Sequence, residues 1–194
     1  MTLTELSLPN AELRYRPCFL ERKEADFLLQ LLQQRVNWRQ DRIRLFGREH
    51  LIPRLQAFQS DPGLYYTYSG LRLAGSDWLP ALRPLKQRLE SLCGQPFNAL
   101  LLNLYRDGQD AMGWHADNEP ELGPNPLIAS ISLGAERRFR LRHNTHRETH
   151  TLILEHGSLL LMAGPTQHHW QHCLPRSRRC HEPRINLTFR LIHV

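Results

Sequence analysis

No stretch of the 194 residues approaches the roughly 20 consecutive apolar positions that a helix needs to cross a bilayer. The first residues also lack the charged-then-apolar order of an export signal. Both absences predict a soluble cytoplasmic protein, or a nuclear one in a eukaryotic cell, with no membrane partner. Cysteine is scarce: Cys18, Cys93, Cys173 and Cys180 stand apart, without the close pairs of a zinc ribbon or a thioredoxin-type motif. They read as reduced thiols. His172, Cys173, Cys180 and His181 have the residue types of a zinc knuckle, but their spacing matches none. Lysine is nearly missing, with Lys23 and Lys86 alone. There is no internal repeat, low-complexity tract or linker, so the chain reads as one monomeric domain, 1–194, long enough for a core without staples.

The cations that remain are therefore arginines. With 25 Lys plus Arg against 19 Asp plus Glu, the net charge is +6, and the isoelectric point is near 9.5. A planar guanidinium suits phosphate and carboxylate, so a nucleic-acid partner fits the composition. From Glu21 to Val36, Ala25, Leu28, Leu31, Leu32 and Val36 recur at three- and four-residue spacing, with Phe27 alongside, which predicts an amphipathic helix. A second helix is expected from an Asp77 N-cap through Trp78, Leu82, Leu85, Leu89 and Leu92 to Gly94. Pro80 suits its first turn, whereas Pro84 argues for a late start or a kink. Strand-like runs follow at Phe97–Tyr105, Leu127–Leu133, Phe139–Leu141, Thr149–Leu154, Ser158–Met162 and Ile185–Ile192. Two helices followed by many strands predict an α+β chain with a double-sheet barrel.

Within this frame, His115 and Asp117 are two residues apart, so on an extended strand an imidazole and a carboxylate would converge on one side. A third, distant His would complete the two-His, one-carboxylate face of non-haem Fe(II) oxygenases, with the opposite positions open. The pattern His-x-Asp alone is weak. Further support comes from the C-terminal segment, where Arg184, Asn186, Thr188 and Arg190 alternate strictly with Ile185, Leu187, Phe189 and Leu191. Two arginines on an inward strand face need an anionic partner, and a dicarboxylate supplies it through paired hydrogen bonds. Asn103 and Tyr105 share one face of another strand.

Asn-x-Tyr, His-x-Asp, His and Arg-x-Asn-x-Thr-x-Arg, in that order, resemble the AlkB-type 2-oxoglutarate- and Fe(II)-dependent dioxygenases that repair alkylated nucleic acid. The resemblance runs from the first helix to the C-terminus and is nearest the branch acting on duplex DNA. It implies a double-stranded β-helix, or jelly roll, over about 96–194, two buttressing N-terminal helices, and a wedge loop and nucleotide-recognition lid over about 37–75. It further implies that His115, Asp117 and His172 hold Fe(II). His172 is preferred over His168 and His169 because it precedes Cys173-Leu174-Pro175. Arg190, helped by Tyr105, would take the distal carboxylate of 2-oxoglutarate; Arg184 and Asn103 would take the end near the metal, supported by Asn186. Glu119 would face the exocyclic nitrogen of a flipped base, Tyr68 would stack on it, and Tyr66 and Ser69 would line the lid. Leu45, Phe46 and Gly47, among arginines, match the wedge that replaces that base in the stack; read without the resemblance, they are a hairpin packing on the core. The implied reaction consumes O2 and 2-oxoglutarate, yields succinate and CO2, and releases the methyl group of 1-methyladenine or 3-methylcytosine in DNA as formaldehyde.

Three rivals bracket this expectation. RNA could replace DNA as substrate. A metal-dependent hydrolase could use the same metal face, but would leave Arg184 and Arg190 without a purpose. A basic, aromatic binding module would need none of the metal residues. The segment from Arg142 to Glu148 is shorter than the long basic loop of the duplex-acting branch, which leaves strand preference open. Arg137, Arg138, Arg140 and Arg142 are candidate phosphate contacts.

Overall fold

A computed structural model describes residues 2–45, 48–68 and 71–193, with backbone alone at 43–45, 48, 67, 68, 71 and 72. Strands β1 (Thr4–Leu6) and β2 (Glu12–Arg16) precede helix α1 (Arg22–Arg35). Then come β3 (Arg42–Leu45), β4 (Arg48–Leu51), β5 (Leu55–Ser60), β6 (Tyr65–Tyr68), β7 (Leu71–Ala74) and helix α2 (Arg83–Cys93). The second half holds β8 (Ala99–Tyr105), β9 (Met112–His115), β10 (Ile128–Gly134), β11 (Arg137–His143), β12 (Thr149–Leu154) and β13 (Ser158–Ala163). One turn of helix, α3 (Thr166–His169), leads into β14 (Trp170–Leu174), and β15 (Arg184–Arg190) ends the core.

Seven strands form one sheet in the order β1-β2-β13-β10-β15-β8-β5, and four form a second in the order β12-β11-β14-β9. The two layers enclose the site, giving the double-stranded β-helix implied above. Two hairpins, β3–β4 and β6–β7, stand apart as separate two-stranded sheets.

Both helices cover the outer face of the large sheet. Ala25, Leu28 and Leu32 of α1 and Leu85 and Leu89 of α2 pack with Leu100, Leu102, Ile131, Leu187 and Phe189 in one buried cluster. Each such leucine, isoleucine or phenylalanine contributes about 1.5–3 kcal/mol by leaving water. The intervening residues of the same strands point inward, so β15 turns a polar face to the barrel, and β8 turns Leu101, Asn103 and Tyr105 to it. Phe27 and Leu92 remain exposed, at 58% and 41%, off the buried stripe.

The second helix starts later than an Asp77 cap would put it. A 3₁₀ turn covers Pro80–Leu82, and Leu82 caps α2 with no side-chain bond. Pro84 falls in the first turn of α2, where its missing N–H has no intrahelical partner to lose. At the other end Gly94 takes φ 69 and donates its N–H to the Glu90 carbonyl, a left-handed cap that a side chain would strain. No helix among the described residues is long and apolar enough to cross a membrane.

Candidate metal centre and co-substrate pocket

The site sits between the two sheets, and strand pairing builds it. Antiparallel pairing of β9 with β14 sets His115 directly opposite His172, bringing their rings to 4.2 Å between centroids. β9 ends at His115, so Asp117 lies on the loop beyond it rather than on a continuing strand. Its backbone N–H is held at 3.0 Å by the Gln167 side-chain carbonyl on α3. That anchor turns the carboxylate inward, and one atom from each of His115, Asp117 and His172 falls within 4.8 Å of the others. His168 and His169 sit on α3 outside this group: the His168 ring reaches the Pro124 carbonyl, and His169 stacks with His143.

Tautomer and charge suit these three residues to a cation. The His115 Nδ1 is 2.9 Å from the Gly113 carbonyl, which can only accept, so Nδ1 carries the proton and Nε2 presents its lone pair. That Nε2 lies 3.9 Å from Asp117 Oδ1, a buried oxygen with no hydrogen-bond donor among the described residues. Two acceptors facing each other in a buried site are stabilised by a cation between them. Burial drives the His172 imidazole down to about 3, with His115 adding to the effect, so it stays neutral and ligand-ready. Burial likewise lowers His115. For Asp117, burial pushes the carboxyl up, but Arg190 and the two imidazoles outweigh it and hold it near 2.

Register corrects the expected order of the two arginines. β15 runs antiparallel to β8, pairing Arg184 with Tyr105, Asn186 with Asn103 and Arg190 with Ala99. Tyr105 is therefore at the Arg184 end and cannot assist Arg190. Arg190 is the arginine next to the metal face, its Nη2 3.1 Å from Asp117 Oδ2. Arg184 lies 5.3 Å from the Tyr105 ring and donates from Nη2 to Ser132 Oγ at 2.9 Å. It is 2% exposed, and among the described residues it has no carboxylate partner. Its Nε is buried without an acceptor among the described residues, and burial drives its guanidinium down to about 10. Asn186 braces this row, donating to Ser130 Oγ at 2.8 Å and accepting from the Thr188 hydroxyl at 3.0 Å.

Asn103 accepts from Arg54 Nε at 2.9 Å. Arg54, 4% exposed, thus holds a residue of the pocket, whereas sequence reasoning placed it only in an arginine-rich segment. Ser130 and Ser132 were also missed, although Ser130 and Ser132 alternate with Ala129, Ile131 and Leu133, a polar strand face visible in the sequence. Gln167 carries no such signal. Arg137, a candidate phosphate contact by sequence, is buried: it donates to the carbonyls of Asp107, Asp110 and Pro175.

On the lid side, Tyr66 is buried, stacked on Phe58 with ring centroids 5.7 Å apart and lying 5.3 Å from the Arg190 guanidinium. It shares a hydrogen bond with the Glu119 carboxyl, which burial and the nearby Asp117 carboxylate raise. Glu119 leads into the 3₁₀ turn Pro120–Leu122, so no strand continues through it. Leu45 and Tyr68 lie on β3 and β6; Phe46, Gly47 and Ser69 fall outside the described residues.

A model of the family described as the 2OG-Fe(II) oxygenase superfamily matches residues 12–190. DNA oxidative demethylase ALKBH2 of Mus musculus is 44% identical over 180 residues, covering 87% of this chain and 75% of that protein. The Bos taurus ALKBH2 is also 44% identical over 180 residues, and the match covers 65% of it. The Homo sapiens alpha-ketoglutarate-dependent dioxygenase alkB homolog 3 is 43% identical over 190 residues, covering 91% of this chain and 65% of its own. The chain thus spans about two thirds of the length of these relatives. The solved structure of OsALKBH1 superposes with a TM-score of 0.64 at 16% identity, over 98% of this chain and 100% of that one, and so shares its fold. With its metal face, its paired arginines and this family match over nearly its whole length, the chain belongs to the 2OG-Fe(II) oxygenase superfamily, in its AlkB-type group.

Proposed function

We propose that this protein oxidatively demethylates N-alkylated bases in DNA, 1-methyladenine and 3-methylcytosine among them, using Fe(II), O2 and 2-oxoglutarate. The observation that carries the reading is one buried pocket with potential metal-binding atoms at one end and, at the other, an arginine lacking a carboxylate among the described residues. A hydrolase would use the first and leave the second as an uncompensated buried cation, a penalty of several kcal/mol. The DNA substrate is inferred from the relatives named DNA oxidative demethylase.

His115, Asp117 and His172 would hold Fe(II), which when bound supplies the activation of O2 that couples 2-oxoglutarate decarboxylation to hydroxylation of the methyl carbon. Arg184, oriented by Ser132 and Tyr105, takes the distal carboxylate. Asn103, held by Arg54, lines the end nearer the metal. Arg190 fixes the Asp117 carboxylate, and Glu119 with Tyr66 faces the base. Release of formaldehyde from oligonucleotide carrying one 3-methylcytosine, matched by succinate and lost on chelation, is the expected result. Succinate without formaldehyde would reject the base as substrate, and full activity with chelator present would reject the metal.

Two further outcomes follow from these roles. Ser132→Ala deprives a buried guanidinium N–H of its acceptor, at about 1.5 kcal/mol, so the 2-oxoglutarate KM should rise about tenfold while metal affinity holds. We also assign Leu45, Phe46 and Gly47 to a wedge and Tyr68 and Ser69 to the lid. A stacked aromatic is worth roughly 1–3 kcal/mol, so Phe46→Ala should lower activity on duplex about tenfold more than on single strands. Equal losses on both would return the loop to an ordinary hairpin.

A further inference from the structure

The outer face of the four-stranded sheet takes no part in the pocket. Along β11, Phe139, Leu141 and His143 are buried while Arg138, Arg140 and Arg142 are exposed. Three arginines thus stand in one row on one face, about 6.7 Å apart by the rise of a strand. Their neighbours across the sheet are Ile153, Thr151 and Thr149 on β12, with Cys173 and Gln171 on β14. No carboxylate lies on this face among them, and none of the three arginines has an ion pair among the described residues. Like charges in a row repel one another and are normally interspersed with acids.

The row is also held in place. Trp114 on the edge strand β9 stacks under two of its members, with Arg142 at 4.4 Å and Arg140 at 5.7 Å from the ring. Gln171 accepts from Arg142 Nε at 3.1 Å and Nη2 at 2.7 Å. Both guanidiniums keep further N–H groups for a ligand. Trp114 and His115 are consecutive on one strand and so face opposite sides of the sheet. The arginine row therefore begins one strand thickness from the metal face, around a sheet edge. Arg137 is not part of it, because it is buried on the other face and both its Nη atoms donate to backbone carbonyls.

We propose that Arg138, Arg140 and Arg142, the last two braced by Trp114, form a track for the phosphodiester backbone of the strand flanking the base in the pocket. This rests on the nucleic-acid reading above and deepens it. A phosphodiester chain is a regular series of single negative charges, which a regular series of guanidinium forks matches; a small carboxylate would need only one. Contacts of this kind position the strand and carry no base preference.

The test is the salt dependence of binding to undamaged oligothymidylate, followed by fluorescence anisotropy. Each phosphate contact on a single strand contributes roughly 0.7 to the slope of log affinity against log salt. Arg138→Gln/Arg140→Gln should lower that slope by about 1.4, with a melting temperature close to the unaltered protein because both side chains are exposed. Arg22→Gln/Arg83→Gln, which removes two charges on the helices covering the other sheet, should leave the slope unchanged. Equal slopes for the two double variants would overturn the track. The function itself is read separately: an arginine-dependent slope without formaldehyde from methylated oligonucleotide keeps the track and rejects demethylation, whereas demethylation with an arginine-independent slope does the reverse.

Discussion

Arg184→Lys should raise the 2-oxoglutarate KM by about 30-fold to several thousand-fold, while Fe(II) binding survives. The guanidinium is buried, bonded to Ser132 and lodged against Tyr105, with no anion of its own among the described residues. Burial, with Arg137 adding to the effect, brings it down to about 10, so a carboxylate arriving there relieves a cost already present in the fold. Lysine would offer one point charge where the site presents a planar fork. Loss of a charge-assisted buried pair is worth roughly 2–5 kcal/mol, which converts to that range of KM. Arg190→Lys should act elsewhere, since Arg190 contacts the metal-facing carboxylate; its first effect should be weaker metal binding. Titration of 2-oxoglutarate at saturating Fe(II), and of Fe(II) in the absence of 2-oxoglutarate, separates the two variants. If Arg190→Lys shifted only the 2-oxoglutarate curve and Arg184→Lys only the metal curve, the order read from the strand register would be wrong.

The placement of these arginines along the pocket shows where sequence reading stops. Alternation along Arg184–Arg190 identifies an inward polar face, because period two follows from strand geometry. Which end lies near the metal depends on the strand paired with β15 and on its register, and both are tertiary facts. The same limit explains the strands that were missed. β9 and β14 carry the metal face, and their short polar and aromatic stretches, Met112–His115 and Trp170–Leu174, lack an apolar run. β11 was expected only over Phe139–Leu141, because arginines at its exposed positions hide four further strand residues. The helices were legible through their buried stripes, except where Pro80 and Pro84 trade an Asp77 cap for a 3₁₀ start.

Around the pocket, residues with ligand-type side chains were easier to find than the residues that hold them. His115, Asp117 and His172 declare themselves by chemistry, but Gln167 and Arg54 act through a neighbour 50 and 49 positions away, respectively. Sequence spacing carries no trace of such contacts. Ser130 and Ser132 could have been found, since serines facing inward on a buried strand need partners, and each has one on β15.

Asp117→Asn should abolish turnover and lower the stability of the metal-free protein at once, and the two losses have separate causes. The amide keeps the volume of the carboxylate but brings no negative charge to the metal face. It also leaves Arg190, 4% exposed, without its anion. Breaking a buried pair on one side costs about 3–5 kcal/mol, which for a chain of this size lowers the melting temperature by roughly 6–20 °C. The native carboxyl titrates near 2, below the roughly 3.9 of an unfolded aspartate. Its contribution is thus complete above that unfolded value and is lost as pH falls toward 2, so neutral-pH melting reports it in full. Asp117→Ala/Arg190→Leu removes both charges and should recover much of the stability with no return of activity. A single variant that melts like the unaltered protein would show that Arg190 draws nothing from Asp117. A single variant that still turns over would remove Asp117 from the metal face altogether.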